Sequence, residues 1–471
     1  MKHKTKIIAA CFFIAGLVTV AGCGCRQTNP HQYNLNLEIW GSLDESDALN
    51  EIFDNYKKLN PNIANIKYKK IATNTYEKEL IDALASGQGP DIFLMNNTWL
   101  PSFKDKIVEA PVAQGVLNEQ KFRSNFVDVA ASDFIDSGKI YAVPLSVNSL
   151  GLYYNKDLLN AAGITSPPTD WNQFIDDVRK LTRINNTGDI VTSGAAIGTA
   201  YNINRSTDVL SLIMLQNGTS MIDDQGRVKF NSATTLDNKT VFPGEDALNF
   251  YTQFATASSP NYTWNPAEHY SVDAFAEGKT AMMFNYSWHT ATVASKAPKL
   301  NFAVASVPQF SNTPKVNFAN YWAFGVAKNK MPSSGQYGGS SASAPTISNV
   351  TRVAEAWRFL TYLTTKPDGT FVATTSGTGL GKTFSADFDP AKNYLGHTGE
   401  PAARRDIIET QKSDPQIGVF AADNLIDKSW KESNPGAIES IFAEMIDQVN
   451  KGQASVADAL KTAANRVEEL K

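Results

Sequence analysis

The chain has 471 residues, with 47 acidic against 43 basic side chains and a formal charge of −4. That mild acidity, without a clustered basic face, argues against a nucleic-acid partner. Three cysteines are too few for a disulfide framework, and the length exceeds what one simple core carries, so two domains are expected.

The N-terminus reads as a secretory leader. Lys2, Lys4 and Lys6 precede an uncharged apolar run, 7–20, shorter than the roughly 20 residues that span a bilayer. Val20-Ala21-Gly22-Cys23 resembles a bacterial lipobox, which implies loss of residues 1–22 and diacylation of Cys23. Two or three acyl chains anchor stably where one does not. Residues 23–33 would form the tether. Losing three lysines takes the formal charge to about −7. Cys11 leaves with the leader, and Cys25 is either incidental or a second lipid site. No later segment has the length and uniform hydrophobicity of a transmembrane helix. The expected location is the extracytoplasmic face of the cell membrane, or the periplasm where an outer membrane exists.

Strands and helices then alternate. Residues 35–40 read as a buried strand, broken at Gly41-Ser42-Leu43-Asp44, with Ser46 or Asp47 as the cap of the next helix. Leu49, Ile52, Phe53, Tyr56 and Leu59 recur at helical spacing up to Asn60-Pro61. A strand over 65–71, a helix over 76–86 closed by Gly87, and a strand over 92–95 complete a pattern of parallel strands with helical crossovers. Residues 141–154 fit one extended strand leaving the first lobe for a second. Helices are expected over 156–162, from Asp170 through Leu181, over 209–215 and over 246–255, with two C-terminal stripes, Ile438 to Val449 and Val456 to Val467. The Ser/Gly-rich stretch 332–345 reads as a surface loop before a helix near 354–363.

Four segments, in this order, resemble the maltose/maltodextrin-binding proteins, the bacterial family 1 extracellular solute-binding proteins. They are Leu37 to Trp40 with its capped helix, "LIDALASGQGPDIF" (80–93), "IYAVPLSVNSLGLYYNKDL" (140–158) with Pro167 to Trp171, and "FAEGKTAMMFNYSW" (275–288). The resemblance implies an α/β fold of the two-lobed, periplasmic-binding-protein type II ("Venus flytrap") kind, with crossing strands between lobes. It places an N-lobe at 34–143 and 315–370 and a C-lobe at 146–306 and 371–471. It further implies a monomeric receptor, not an enzyme, that carries a carbohydrate-like solute to the transmembrane subunits of an ABC importer.

A polyol is held by aromatic faces under its C–H surfaces and polar groups on its hydroxyls. Trp288 aligns with a family tryptophan that stacks on sugar, and Asn285 and Tyr286 precede it. Ligands of open α/β sheets sit at strand ends; that rule selects Trp40, Ser42 and Asp44 after the first strand and Asn97 and Trp99 after the third. Asn148 lies in the crossover, Asn202 and Arg205 in a polar loop, and Tyr321 and Trp322 where the chain returns to the first lobe. The family's acid–base pair after the third strand is replaced by Thr98 and Trp99, and its terminal-helix tryptophan falls near Glu439, which puts maltose itself in doubt. A glycerol phosphate, a ferric complex or a lipid-anchored glycoside hydrolase are the alternatives. No GxSxG, HExxH or Walker pattern occurs, "GTGLGK" (377–382) lacks the phosphate-loop spacing, and the scattered histidines suggest neither metal nor cofactor.

Overall fold

A computed structural model describes residues 34–44, 46–111, 117–311, 313–330, 347–367 and 387–470. The leader, Cys23, Cys25, the tether, the 332–345 stretch and "GTGLGK" lie outside them. Within the described residues the chain forms two α/β lobes, each around its own apolar core.

The first sheet contains β1 (Leu35–Gly41), β2 (Ile63–Lys70), β3 (Ile92–Asn96), β4 (Ala142–Pro144) and a late strand, Trp322–Val326, in the order β2-β1-β3-late strand-β4. β1 pairs in parallel with β2 and β3, as strand–helix–strand alternation requires, while the late strand runs antiparallel to β3 and β4. Leu49, Ile52, Phe53 and Tyr56 of α1 (Asp47–Leu59) bury one face on this sheet. Asn60 ends that helix in an extended conformation and donates to Glu355 at 2.7 Å. β1 ends at Gly41, where a Cβ would lie 2.2 Å from the Tyr68 hydroxyl and 2.8 Å from a Leu94 methyl, so a larger residue would have to push those side chains aside.

The second sheet is antiparallel, with β5 (Gly151–Asn155) between β6 (Met282–Asn285) and β7 (Phe302–Ala305). The extended run expected over 141–154 is two strands. Residues 145–150 separate them and make single bridges, Ser146 to Ala402 and Ser149 to Ala319, so this stretch passes between the lobes instead of extending either sheet. A second crossing pairs β8 (Asn317–Phe318), which lies before the late strand, now β9, in parallel with β10 (Asp427–Lys428). Asp170 caps the helix Trp171–Leu181 through the Gln173 amide at 2.9 Å. The C-terminal helices Pro435–Asn450 and Val456–Glu468 pack into the second core. Residues 391–408, expected with the C-lobe, instead contribute Ala391, Tyr394, Leu395, Ile407 and Ile408 to the first core.

Carboxylates line the crossings. Asp133 accepts from Asn97, from the Tyr321 hydroxyl at 2.7 Å and from Ser429. Asp427 accepts from Ser149 at 2.8 Å, and Asp423 from Ser306 at 2.9 Å. Loss of water raises Asp133 to about 6 and Asp423 to about 7, and raises Asp427 well above the usual carboxylate range.

Candidate functional site

A cavity of about 1080 Å³ opens between the lobes. The first lobe supplies the ends of its strands and the turns after them: Ser42 and Asp44 beyond β1, Asn96 at the end of β3, and Trp322 at the start of β9. The second lobe supplies Arg205 and Trp288. The strand-end rule for α/β sheets is thus met from the first lobe.

Trp288 follows β6 and stacks on Tyr286, with ring centroids 4.6 Å apart and 23° between planes. Tyr286 is fully buried and held by its hydroxyl, which donates to Asp208 at 2.8 Å. One face of Trp288 is therefore backed by protein while the residue lines the cavity. Arg205 flanks both rings, its guanidinium 5.5 Å from the Tyr286 centroid and 5.6 Å from that of Trp288. Its backbone is left-handed, with φ 69°, at the start of helix Ser206–Gln216. Its Nε is buried and has no hydrogen-bond partner among the described residues. Burial beside Arg205 lowers the neighbouring His289 to about 4, so that ring is neutral.

The opposite wall is Trp322, braced edge-on by Trp99 at 5.1 Å, which in turn stacks flat on Phe103 at 5.0 Å. Asn96 donates to the Asn320 side chain at 3.1 Å, and the Asn320 backbone N–H donates to the Asn148 backbone carbonyl at 3.0 Å, apart from the Asn148 side-chain amide. Asn148 joins the lobes: its amide donates to Glu400 at 2.7 Å, and its carbonyl oxygen accepts from Ser287 of the second lobe. Glu400 is raised by burial and by Asp44, and Asp44 accepts from the Tyr394 hydroxyl at 2.6 Å. The Ser42 hydroxyl is 4 % exposed as a residue and has no partner among the described residues, so the wall offers an unused donor and acceptor.

Of the residues selected from sequence, Ser42, Asp44, Asn148, Arg205, Trp288 and Trp322 line this cavity, and Asn97 lines a side pocket next to it. The others are not brought there. Trp40 packs in the first core with its indole N–H on Glu38 and Lys69 over its ring at 4.0 Å. Tyr321 turns its hydroxyl inward to Asp133. Asn285 bonds Asn204, and Asn202 bonds the carbonyls of Asn265 and Glu268, inside the second lobe. Trp99 and Tyr286 support the lining tryptophans without joining the lining. Sequence reasoning missed Lys70, Tyr394, His397 and Glu400. The last three sit on or just after helix Pro390–Thr398, whose Asp389 cap and left-handed Gly399 stop are visible in the sequence as Asp-Pro and a following glycine.

The cavity thus carries one tryptophan from each lobe among hydrogen-bonding side chains, a lining suited to a flat-faced, hydroxyl-rich molecule. Among the described residues no group of three or more His, Cys, Asp or Glu could hold a metal ion, and no helix is long and apolar enough to cross a membrane.

Comparison with known proteins agrees with this geometry. Binding proteins of Brucella abortus and Brucella suis are 23 % identical over 262 residues, 55 % of this chain and 59 % of theirs. The maltotriose-binding protein of Pyrococcus abyssi is 21 % identical over 70 % of this chain and 62 % of its own length. The chain thus matches about three fifths of these relatives. Among solved structures, the sugar-binding protein MalE of Xanthomonas citri superposes with a TM-score of 0.69 at 16 % identity, covering 92 % of this chain and 97 % of that one. The cyclic alpha-maltosyl-1,6-maltose binding protein of Arthrobacter globiformis gives 0.68 at 18 % identity, covering 93 % and 99 %. These likenesses establish the two-lobed fold of binding proteins. The family model of the bacterial extracellular solute-binding proteins matches residues 40–370, and the chain belongs to that family.

Proposed function

We propose that the chain is the receptor of an ABC importer for a saccharide, held on the outer face of the membrane by a lipid on Cys23. The observation that carries the reading is the pairing across the cleft of Trp288 and Trp322, each braced from behind by a second aromatic ring. Stacked aromatic faces suit the C–H faces of a sugar ring, and Asn96, Asn320, Ser42 and Arg205 supply hydrogen bonds around its rim. Sugar-binding relatives and the sugar-binding proteins of the same fold support the class. Closure of the two lobes over the solute would present a composite surface to the importer's transmembrane subunits. We place the ligand-contacting set at Ser42, Asp44, Asn148, Arg205, Trp288 and Trp322, and assign 391–408 to the first lobe.

The test is a thermal-shift screen of the secreted chain against saccharides, polyols, glycerol phosphates, amino acids and ferric citrate. A ligand at 100 times its Kd stabilises by about 2.7 kcal/mol. The expected outcome is a saccharide hit, recovered unchanged, that disappears in Trp288→Ala. A hit confined to glycerol phosphates or ferric citrate keeps the receptor and removes the sugar. Hydrolysis of the hit, abolished by Glu400→Gln, would make the chain a glycosidase. Release of the chain into the medium by Cys23→Ala tests the anchor.

A further inference from the structure

Beyond Arg205 the cleft continues into a side pocket of about 100 Å³, which shares Asn96, Arg205 and Asn320 with the main cavity. That is about a tenth of the main cavity's volume, which suits one substituent of a sugar and not a second ring. Its walls carry three carboxylates, Asp208, Glu432 and Glu439, against a single cation, Arg205. Asp208 is engaged by the Tyr286 hydroxyl. The Glu432 carboxylate differs: burial and the charges of Asp208, Glu439 and Asp133 all work against its ionisation, and no described side chain donates to it. A second, independent feature lies on the same wall. Trp430 is 6 % exposed, stacks on Phe442 at 6.0 Å, and has an indole N–H with no hydrogen-bond partner among the described residues. The pocket therefore presents carboxylates in excess of cations, with Asp208 and Glu432 half-buried, and a buried, unused donor. Such groups are costly to leave unmatched.

Resting on the saccharide reading above, we propose that the solute is an amino sugar, its ring stacked on Trp288 and its protonated primary amine seated in the side pocket against Glu432 and Asp208. An ammonium brings three donors and a second positive charge to a pocket with three carboxylates and one cation. A neighbouring ring oxygen or hydroxyl can accept from the Trp430 indole. Glu432, which a neutral sugar would leave unused, thereby acquires a partner. Selectivity comes from charge as well as shape, because a neutral ring with a hydroxyl in the same place would leave the carboxylates unpaired.

The test compares sugars matched in stereochemistry, by calorimetric titration of the full secreted chain at pH 7. Glucosamine, galactosamine, mannosamine and the β-1,4 glucosamine oligomers are each set against their N-acetylated and neutral counterparts. The expected result is at least one amine-bearing sugar bound ten or more times tighter than both counterparts. In Glu432→Gln that preference should collapse to less than threefold, while the unliganded protein keeps or raises its Tm. Trp430→Phe, which keeps the ring and removes the N–H, should weaken the same sugar without affecting its neutral counterpart. Neutral sugars bound as tightly as amines would overturn the amine and leave the receptor standing. An amine preference that survives Glu432→Gln would overturn the pocket. Silence across every saccharide would remove the saccharide reading and this one with it.

Discussion

Trp288 and Arg205 meet on the second-lobe wall, yet they answer to different physics. Trp288 is a platform: truncation to alanine removes a braced aromatic face but leaves Tyr286 to cap the core beneath it. A buried aromatic anchor is worth on the order of 2 kcal/mol in binding. Titration of Trp288→Ala should accordingly show affinity for the hit saccharide weakened about 30-fold, with Tm nearly unchanged. Arg205 combines a cavity-lining side chain with backbone strain, since φ 69° disfavours any residue with a Cβ. Both Arg205→Ala and Arg205→Gly should lose affinity. In urea unfolding the glycine variant should nonetheless be the more stable of the two, by about 1 kcal/mol; the reverse order would show that the strain is not felt. Trp288 was legible in sequence because its strand and turn carry a recognisable pattern. Trp40 was not, because a tryptophan at the end of a buried strand can face either the cleft or the core, and period-two alternation does not say which.

Elements set the site by where they stop. β1 ends at Gly41 under Tyr68 and Leu94, and that ending delivers Ser42 and Asp44 to the cavity. Gly41→Ala forces overpacking and should cost about 1–3 kcal/mol in chemical denaturation. It should also weaken ligand binding, although Gly41 itself does not line the cavity. The cap at Asp170 makes the contrast: it orders a helix remote from the cleft. Asp170→Ala should cost about 1 kcal/mol of stability and leave affinity within twofold. Helices with strong caps and apolar stripes, such as Trp171–Leu181 and Pro435–Asn450, were legible to within a few residues. Helix Pro390–Thr398, which carries Tyr394 and His397, was overlooked because its apolar stripe is short: Ala391, Tyr394 and Leu395 are its buried positions besides the opening proline. The break over 145–150 was equally hidden. A crossing segment has apolar neighbours on both sides and so keeps the composition of a strand without the ladder.

Across the whole molecule, the carboxylates at the crossings make stability depend on pH. Asp133 near 6 and Asp423 near 7 lie above their values in the unfolded chain, so the folded state binds the extra protons. The sign follows: their contribution is complete below about pH 4 and is lost as the pH rises through 6 and 7. Melting should therefore shift upward between pH 8 and pH 5, and the shift should shrink in Asp133→Asn and in Asp423→Asn. A flat profile over that range would mean that these groups titrate normally. No periodicity in the sequence marks these acids as buried, because the partners that enclose them, Tyr321, Ser149 and Ser306, come from distant segments.

The described residues of 35–147 and 319–408 share one core, with most of the second lobe inserted between them. A ribosome delivering this chain from its N-terminus would expose the first half of that core long before the second half exists. Native pairing of β3 with β9 must wait for more than two hundred intervening residues to emerge. Contacts of such long sequence separation fold slowly. The delay would keep the nascent chain loose enough to be threaded outward, and the same delay would expose its β1–β3 edge to aggregation whenever translocation stalls.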